Sequence, residues 1–314
     1  MNISLLEPLG IDVRLLDGFA QEMAGRGHTF VWHEKKATGV EELIERSRGQ
    51  EIVMIANTPY PREVIEANRQ IRLIAVAFTG VDHVDLAACK ERGIVVTNCG
   101  GYSDQAVAEL VIGLALSQLR RIGSGDSATR RGLSGSLLMG REIGGRRVGI
   151  IGYGRIGSKT AALFSAFGAE VVAYSRTPKR VPSVTFLSLD ELMATSDIIS
   201  LHLPSTPETY HLIGERELSL MKEGSLFINC ARGPIVDTEA LACALKSKRI
   251  KAALDVFDTE PPLKEAYPLL QTPNTLLTPH IAYLTEEAMV RRAAIEFENV
   301  RAFLDGRAQN VVVL

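Results

Sequence analysis

Residues 147–157 read Arg-Val-Gly-Ile-Ile-Gly-Tyr-Gly-Arg-Ile-Gly, and this stretch decides the fold of the chain. The apolar run Val148–Ile151 predicts a buried parallel strand, and Gly152, Gly154 and Gly157 follow it with the spacing Gly-x-Gly-x-x-Gly before a helical pattern begins. The first glycine permits a tight turn, the second lets a pyrophosphate approach the backbone, and the third lets helix and strand pack closely. The segment therefore predicts a dinucleotide site at the N-terminus of that helix.

Composition indicates a globular chain without an obvious macromolecular partner. The 314 residues include 23% charged and 46% hydrophobic residues, and the formal net charge is −2. This length allows two domains with buried cores, and the charge gives no reason to bind nucleic acid or anionic membrane. No apolar stretch is long enough to span a bilayer. The first residues lack a basic segment before an apolar core, so we expect no signal peptide and a cytoplasmic protein.

The four cysteines show no metal-ligand spacing and no disulfide pattern. They are Cys89, Cys99, Cys230 and Cys243, and their flanks are apolar or strand-like. We therefore expect reduced, buried thiols, and we expect no metal site.

Strands and helices alternate along the first hundred residues, which is typical of a parallel sheet covered on both faces. The predicted strands are Ile3–Leu6, Thr29–Trp32, Ile52–Ala56, Leu73–Ala77 and Ile94–Thr97. The predicted helices lie near Leu15–Ala24, Val40–Arg46, Arg62–Asn68 and Val84–Lys90.

A second alternating region begins at Arg147, after a long predicted helix over Gln105–Arg120. Residues 122–145 contain seven glycines, which weaken regular structure, so we interpret them as a linker or surface arm. The six predicted strands are Val148–Ile151, Val171–Tyr174, Ile198–Leu201, Leu226–Asn229, Ala252–Val256 and Thr275–Leu277. The predicted helices include one opened by the capping box Ser188–Glu191, then Thr238–Leu245 and Thr285–Leu304.

These patterns predict two α/β units. Because six strands complete the second unit, we expect the last helix to return to the first. The chain would then cross between units near Cys99–Gly101 and Ile281–Thr285, which predicts a hinge with a cleft beneath it.

Three polar side chains follow predicted strands of the second region. Arg232 comes after Leu226–Asn229, and Glu260 and His280 come after the next two strands. An arginine there suits bidentate binding of a carboxylate, and a histidine beside a carboxylate suits a general acid. Arg232 has an ordinary alternative as a surface arginine in a loop, and His280 has one as a hydrogen-bonded packing residue. Together they fit hydride transfer between a nicotinamide and a 2-keto or 2-hydroxy acid.

Several segments occur in the order and spacing of one enzyme family. They are Thr79–Asp85, Gly101–Glu109, the glycine motif, Leu201–Thr206, Asn229–Asp237, Leu254–Pro261 and Thr278–Ala282. Through them nearly the whole chain resembles the D-isomer-specific 2-hydroxyacid dehydrogenases. The resemblance implies an α/β fold of two doubly wound parallel-sheet domains with a cleft between them. A flavodoxin-like substrate domain would comprise residues 1–99 plus 282–314, and a Rossmann nucleotide-binding domain residues 100–281. It also implies a homodimer, formed through the nucleotide domain and the arm at 122–145.

The resemblance assigns roles to individual residues. Arg232 would bind and polarise the keto acid, His280 would donate the proton in reduction, and Glu260 would be its partner. Backbone N–H groups of Gly80 and Val81 would bind the substrate carboxylate. The expected cofactor contacts are Gly152, Gly154, Arg155, Ile156, Gly157, Ser175, Arg176, Thr177, Leu203, Pro204, Cys230, Ala231 and, at the nicotinamide amide, Asp255.

The segment after the second strand of the nucleotide domain bears on cofactor choice. NAD-preferring sites place an acidic residue there to bind the ribose 2′-OH. Here the sequence is Ser175-Arg-Thr-Pro-Lys-Arg180, with no acid and three basic residues. It resembles the NADPH-linked glyoxylate and hydroxypyruvate reductases, so we expect NADP(H), with NAD possible. The alternative is a solvated basic turn with relaxed cofactor choice.

The substrate stays open at this stage. Glyoxylate, hydroxypyruvate and pyruvate are the expected small 2-keto acids, and Phe78, Tyr102 and Tyr283 are expected to shape the pocket. One alternative is NAD-linked oxidation within the same family. Another is a nucleotide-sensing protein like the corepressors that share the fold, although a scaffold has no need for Arg232, Glu260 and His280 together.

Overall fold

The chain divides into two compact units. A computed structural model describes residues 1–135, 138–177 and 180–312. The first unit is Met1–Ser103 together with the chain from Leu284 onward, and the second is Asp104–Tyr283. The functions assigned above to the two domains remain predictions.

The first unit is a five-stranded parallel sheet with helices on both faces. Its strands are β1 (Asn2–Leu5), β2 (Thr29–Trp32), β3 (Ile52–Ile55), β4 (Leu73–Val76) and β5 (Val95–Thr97). Its helices are α1 (Val13–Gly25), α2 (Val40–Ser47), α3 (Arg62–Ala67), α4 (Leu86–Arg92) and, from the end of the chain, α11 (Glu286–Leu304). The strand order is β2-β1-β3-β4-β5, which is the flavodoxin-like order. The central strands β3 and β4 are continuous apolar runs because both of their faces are buried.

The second unit is a seven-stranded parallel sheet. Its strands are β6 (Arg147–Ile151), β7 (Glu170–Tyr174), β8 (Thr185–Phe186), β9 (Ile198–Leu201), β10 (Leu226–Asn229), β11 (Lys251–Leu254) and β12 (Thr275–Leu277). Its helices are α5 (Asp104–Arg120), α6 (Ile122–Arg130), α7 (Arg155–Ala166), α8 (Leu189–Thr195), α9 (Glu215–Leu220) and α10 (Thr238–Lys246). The order is β12-β11-β10-β9-β6-β7-β8. The prediction of two doubly wound parallel-sheet domains is thus confirmed.

Two sequence predictions about the second unit were wrong. Residues 122–145 are not wholly irregular, because Ile122–Arg130 is helical despite its glycines. The Arg130 guanidinium pairs with the Asp126 carboxylate one turn earlier, at 2.9 Å, and Ala128 is buried. An i,i+4 pair of this kind contributes about 0.2–0.5 kcal/mol, so it supports the helix but is smaller than the penalty of two glycines, about 1 kcal/mol each. The sheet also has seven strands rather than six, since the two-residue β8 pairs with β7.

The expectation that all four thiols are buried was also wrong. Cys89, Cys99 and Cys230 are buried, but Cys243 is exposed. It lies on α10, whose neighbouring residues Leu241, Ala242 and Leu245 face the core, so position 243 falls on the opposite face.

Candidate active site

The glycine-rich turn between β6 and α7 is built around very close backbone approaches. Gly152 has a φ of +97°, and a Cβ there would lie 2.4 Å from the carbonyl oxygen of His202. A Cβ on Gly157 would lie 2.0 Å from the carbonyl oxygen of Gly152. Any larger residue at these two positions would push the strand and helix apart. Both glycines therefore do what the sequence motif predicts.

Gly154 differs from the other two glycines. No described atom lies within 4 Å of a Cβ built on it, so the space beside this backbone is open. It is the N-cap of α7, and no side chain caps the helix there. Bare N–H groups at a helix N-terminus beside open space fit the pyrophosphate of a dinucleotide. Arg155, at the first helical position, pairs with Asp104 through Nε at 2.8 Å.

The basic turn lies directly beside the glycine turn. The backbone N–H of Gly152 donates to the carbonyl of Tyr174, the last residue of β7, at 2.8 Å. Ser175 is half-buried, and Arg176 and Thr177 are exposed. Lys179 lies outside the described residues. Glu208, which no sequence motif marked, has its pKa lowered by hydrogen bonds from Thr206 and its own backbone and by the nearby Arg176 charge.

Arg232 lies on a loop that the end of β10 holds in place. The buried Asn229 side chain accepts from the Ala231 N–H and donates to the Arg232 carbonyl, each at 2.9 Å. Gly233 packs so tightly that a Cβ there would lie 1.8 Å from the carbonyl oxygen of Phe257, after β11. The half-buried Arg232 side chain donates to the Ala231 carbonyl at 2.8 Å. The loop that carries Arg232 is therefore packed against the residues that follow β11.

His280 and Glu260 are in direct contact. Nδ1 of His280 lies 2.9 Å and 3.1 Å from the two carboxylate oxygens of Glu260. The Glu260 side chain is 75% exposed and that of His280 27% exposed. With Nδ1 bound to the carboxylate, Nε2 is the nitrogen left to face a substrate. The Tyr283 ring packs edge-on against His280, with centroids 5.5 Å apart.

Asp255 holds the loop that carries His280. Its fully buried carboxylate accepts from Thr278 Oγ1 at 2.6 Å and from the N–H groups of Ile281 and Ala282 at 2.9 and 2.8 Å. Its carbonyl accepts from the N–H of His280, whose φ of +56° is unusual for a residue other than glycine. Burial raises the pKa of Asp255, and these hydrogen bonds oppose the rise. This role in positioning the loop was missed, and a nicotinamide contact stays a prediction.

The three candidate catalytic residues, Arg232, Glu260 and His280, follow three adjacent strands of the second sheet. Asn229 pairs in register with Leu254, and Leu254 pairs with Leu277, so the ends of β10, β11 and β12 are level. Arg232, Glu260 and His280 all come after these ends. Side chains at the carboxyl edge of a parallel sheet face the ligand crevice.

The remaining predicted contacts lie around the same edge or in the first unit. Leu203 and Ala231 are half-buried, Pro204 is exposed and Cys230 is buried, with its pKa raised by burial. His202, beside the glycine turn, has its pKa lowered to about 3 by burial. In the first unit Gly80 and Val81 are partly exposed on the loop after β4.

Comparison with known proteins identifies the family. Residues 112–282 match the family model described as D-isomer specific 2-hydroxyacid dehydrogenase, NAD binding domain. The chain belongs to this family. A glyoxylate reductase of Thermofilum pendens is 39% identical over 297 residues, which are 90% of this chain and 87% of that one. The predicted 2-hydroxyacid dehydrogenase activity is therefore confirmed at the level of the family, and with it a nicotinamide cofactor.

Two solved structures are similar over nearly their whole length. An acyclic imino acid reductase, Bsp5, in complex with NADPH and D-Arg has a TM-score of 0.91 and 30% identity, with full coverage of both chains. A D-lactate dehydrogenase of Aquifex aeolicus, complexed with NAD and lactic acid, has a TM-score of 0.84 and 30% identity and covers 98% of this chain and 96% of that one. The fold therefore accommodates either nicotinamide cofactor.

Two kinds of feature are absent from the residues that the structure describes. Among the described residues, no helix has the length and apolarity needed to cross a bilayer. Within the same residues, no group of three or more His, Cys, Asp or Glu side chains is arranged to hold a metal ion.

Proposed function

We propose that this dehydrogenase reduces a small 2-keto acid with NADPH, and that His280 donates the proton. The observation that carries the proposal is the contact between His280 Nδ1 and the Glu260 carboxylate at the edge of the sheet where Arg232 also lies. Glyoxylate is the first substrate to test, because the 39% identical relative is named a glyoxylate reductase. Hydroxypyruvate and pyruvate are the next candidates, since they share its 2-keto carboxylate.

Each residue has a distinct task in this proposal. Arg232 binds the keto acid by its guanidinium and draws electron density from the carbonyl. His280 holds the proton on Nε2 and delivers it to the carbonyl oxygen as negative charge develops there. Glu260 keeps the imidazole in one orientation and stabilises its protonated form. Gly80 and Val81 bind the substrate carboxylate through backbone N–H groups. The bound nicotinamide supplies the hydride.

The basic turn supports NADPH over NADH. No acidic residue stands at the end of β7 to bind a ribose 2′-OH, and Ser175, Arg176 and Thr177 provide hydroxyl and guanidinium donors for a 2′-phosphate. Glu208 balances part of the Arg176 charge in the free protein. The competing proposal, NAD-linked oxidation, predicts equal or better use of NADH.

The direct test is an initial-rate survey of 2-keto acids with each cofactor. We expect NADPH oxidation with at least one of glyoxylate, hydroxypyruvate and pyruvate, and a higher kcat/KM with NADPH than with NADH. A preference for NADH would favour the NAD-linked alternative. Nucleotide binding without turnover of any acid would favour the nucleotide-sensing protein.

Two variants test the residue assignments. His280→Ala should abolish turnover and retain NADPH binding. His211→Ala is the matched control, because His211 also has a positive φ, of 50°, and lies 3.9 Å from a carboxylate, that of Asp237. Arg176→Asp should weaken NADPH far more than NADH, so NADH serves as the internal reference. Equal losses for both cofactors would remove the proposed contact with the 2′-phosphate.

We also propose a cytoplasmic homodimer. Ile122, Leu133 and Met139 on the 122–145 arm expose large apolar side chains, and Met139 is 87% exposed, which suits burial against a second copy. Three buried free thiols suit a reducing compartment. Light scattering of the protein and of Leu133→Asp should give a dimer and a monomer, respectively, and fractionation of the source cells tests the compartment.

A further inference from the structure

Phe78 and Tyr102 are the two aromatic residues of the first unit that are expected to shape the substrate pocket. A buried arginine, Arg292, lies against Phe78. Arg292, on α11, is only 4% exposed. Its guanidinium carbon lies 4.8 Å from the centroid of the Phe78 ring, within the range of a cation–π contact. One of its terminal nitrogens donates to the carbonyl of Leu9 at 2.6 Å. The guanidinium is therefore held in one place over the ring.

Phe78 has a position that makes this contact relevant to substrate. It follows β4 and precedes by two residues Gly80, which the proposed function places on the substrate carboxylate. Its ring meets the ring of Tyr102 edge-on, with centroids 6.0 Å apart and an interplanar angle of 86°. Its carbonyl accepts from the Cys99 N–H at 2.9 Å. The ring is thus held on one face by Arg292 and at its edge by Tyr102.

Glu296 is a second buried ionisable residue on the same helix as Arg292. It lies one turn further along α11, is fully buried, and neither carboxyl oxygen has a hydrogen-bond partner among the described residues. Nε of Arg292 likewise has no hydrogen-bond partner there. The Arg292 charge opposes the large rise in the pKa of Glu296 that burial causes. Burial outweighs this opposing charge, so the Glu296 carboxyl keeps its proton and the Leu9 hydrogen bond and the Phe78 ring remain the described contacts of the guanidinium.

We propose that Arg292 is a specificity-determining residue that acts through Phe78. By fixing the ring, it limits the size of the group that a 2-keto acid can carry on its keto carbon. Glyoxylate carries only hydrogen there, whereas pyruvate, 2-oxobutanoate and 4-methyl-2-oxopentanoate carry progressively larger alkyl groups. The inference rests on the proposed function, because it concerns the choice among 2-keto acids.

The experiment compares kcat and KM for these four acids in the wild type and in Arg292→Met, which keeps the length of the side chain and removes its charge. We expect the selectivity for glyoxylate over 2-oxobutanoate to fall roughly tenfold, mainly through a lower KM for the larger acids. Arg292→Lys, which keeps a cation over the ring, should restore most of the selectivity. Arg301→Met is the matched control, because Arg301 lies on the same helix with its guanidinium carbon 5.5 Å from another ring, that of Phe19.

A double-mutant cycle tests whether Arg292 acts through the ring. Phe78→Leu should relax selectivity by itself, and adding Arg292→Met to it should then change the selectivity little. If Arg292→Met unfolds the protein, Arg292→Met combined with Glu296→Gln, which removes both buried ionisable groups, is measured in its place.

The possible failures are distinguishable. If Arg292→Met lowers kcat/KM for all four acids by the same factor, or leaves the selectivity equal to that of Arg301→Met, the inference fails while the proposed function stands. Additive effects in the cycle would also overturn it. If the wild type reduces none of these four acids and does not reduce hydroxypyruvate, the proposed function fails and the inference fails with it.

Discussion

Alanine substitutions at two glycines should change two different properties. Gly233→Ala should lower the stability of the second unit, and Gly154→Ala should weaken cofactor binding. In Gly233→Ala the new Cβ would lie 1.8 Å and 1.9 Å from the carbonyl oxygen and carbon of Phe257 and 2.4 Å from the N–H nitrogen of Asp258. All three are backbone atoms, which cannot rotate away. In Gly154→Ala the new Cβ would meet no described atom within 4 Å. The same substitution therefore creates a severe clash at one position and none at the other.

The expected magnitudes follow from these distances. Forcing a methyl group into a packed backbone costs about 3 kcal/mol or more, which for a domain of this size lowers Tm by about 6–12 °C. At Gly154, alanine loses less chain entropy on folding than glycine, a gain of about 0.4–1 kcal/mol. Alanine is also a poorer N-cap residue than glycine, and this lowers the free energy of unfolding by a similar amount. Stability should therefore stay within about 0.5 kcal/mol of wild type, while a methyl group beside the pyrophosphate weakens NADPH by at least about tenfold, or 1.4 kcal/mol.

Thermal unfolding and titration with NADPH, followed by the fluorescence of the reduced nicotinamide, measure the two effects independently. Gly233→Ala should unfold earlier, and Gly154→Ala should unfold like the wild type but bind NADPH weakly. Wild-type affinity in Gly154→Ala would refute the argument that the open space beside this glycine receives the pyrophosphate. Wild-type stability in Gly233→Ala would refute the packing of the Arg232 loop against β11.

Three other perturbations test contacts described above. Ser188→Ala removes the hydroxyl of a capping box, in which Ser188 Oγ accepts from the Glu191 N–H at 3.3 Å, and should cost about 1 kcal/mol in urea unfolding; no loss would mean that α8 does not depend on its cap. Burial raises the pKa of Glu296 well above 4.5, so the folded protein keeps a proton that the unfolded chain releases, and stability declines as pH rises from about 4.5 toward the folded pKa. Glu296→Gln should flatten that decline above about pH 4.5, and parallel curves for variant and wild type would contradict it. Asp255→Asn should leave one of the N–H groups it binds without an acceptor, at a cost of about 1–3 kcal/mol, and lower kcat; hydrogen exchange at Ala282 should quicken, and an unchanged exchange rate would show that the carboxylate does not hold the loop.

The fold was largely predictable because its signals are local. Apolar runs bounded by glycines and polar residues marked most strands, and Gly168, with a φ of +80°, ends α7 as its position suggested. The errors arose where tertiary contacts outweigh composition. Helix α6 forms despite two glycines, and β8 is too short to leave a pattern, since only its pairing with β7 makes it a strand.

The positions of the three candidate residues after strands were predictable from the sequence. The hydrogen bonds that hold their loops in place were not. Arg232, Glu260 and His280 each follow a strand, and that could be read from order alone. The hydrogen bonds that position them join residues far apart in sequence: Asp255 binds groups 23 to 27 residues later. The sequence signal for these supports was only a polar residue at the end of a buried strand, as at Asn229 and Asp255, and such a residue does not indicate which partner it binds.

The unequal exposure of the four thiols has a practical consequence. Burial raises the pKa of Cys89 to about 11 and also raises the pKa values of Cys99 and Cys230, whereas Cys243 is open to solvent on α10. A thiol reacts with maleimides as its thiolate, so near neutral pH a maleimide dye should modify this protein once, at Cys243. The native chain thus carries a single attachment point for a fluorophore or spin label on its second unit, without any engineered cysteine.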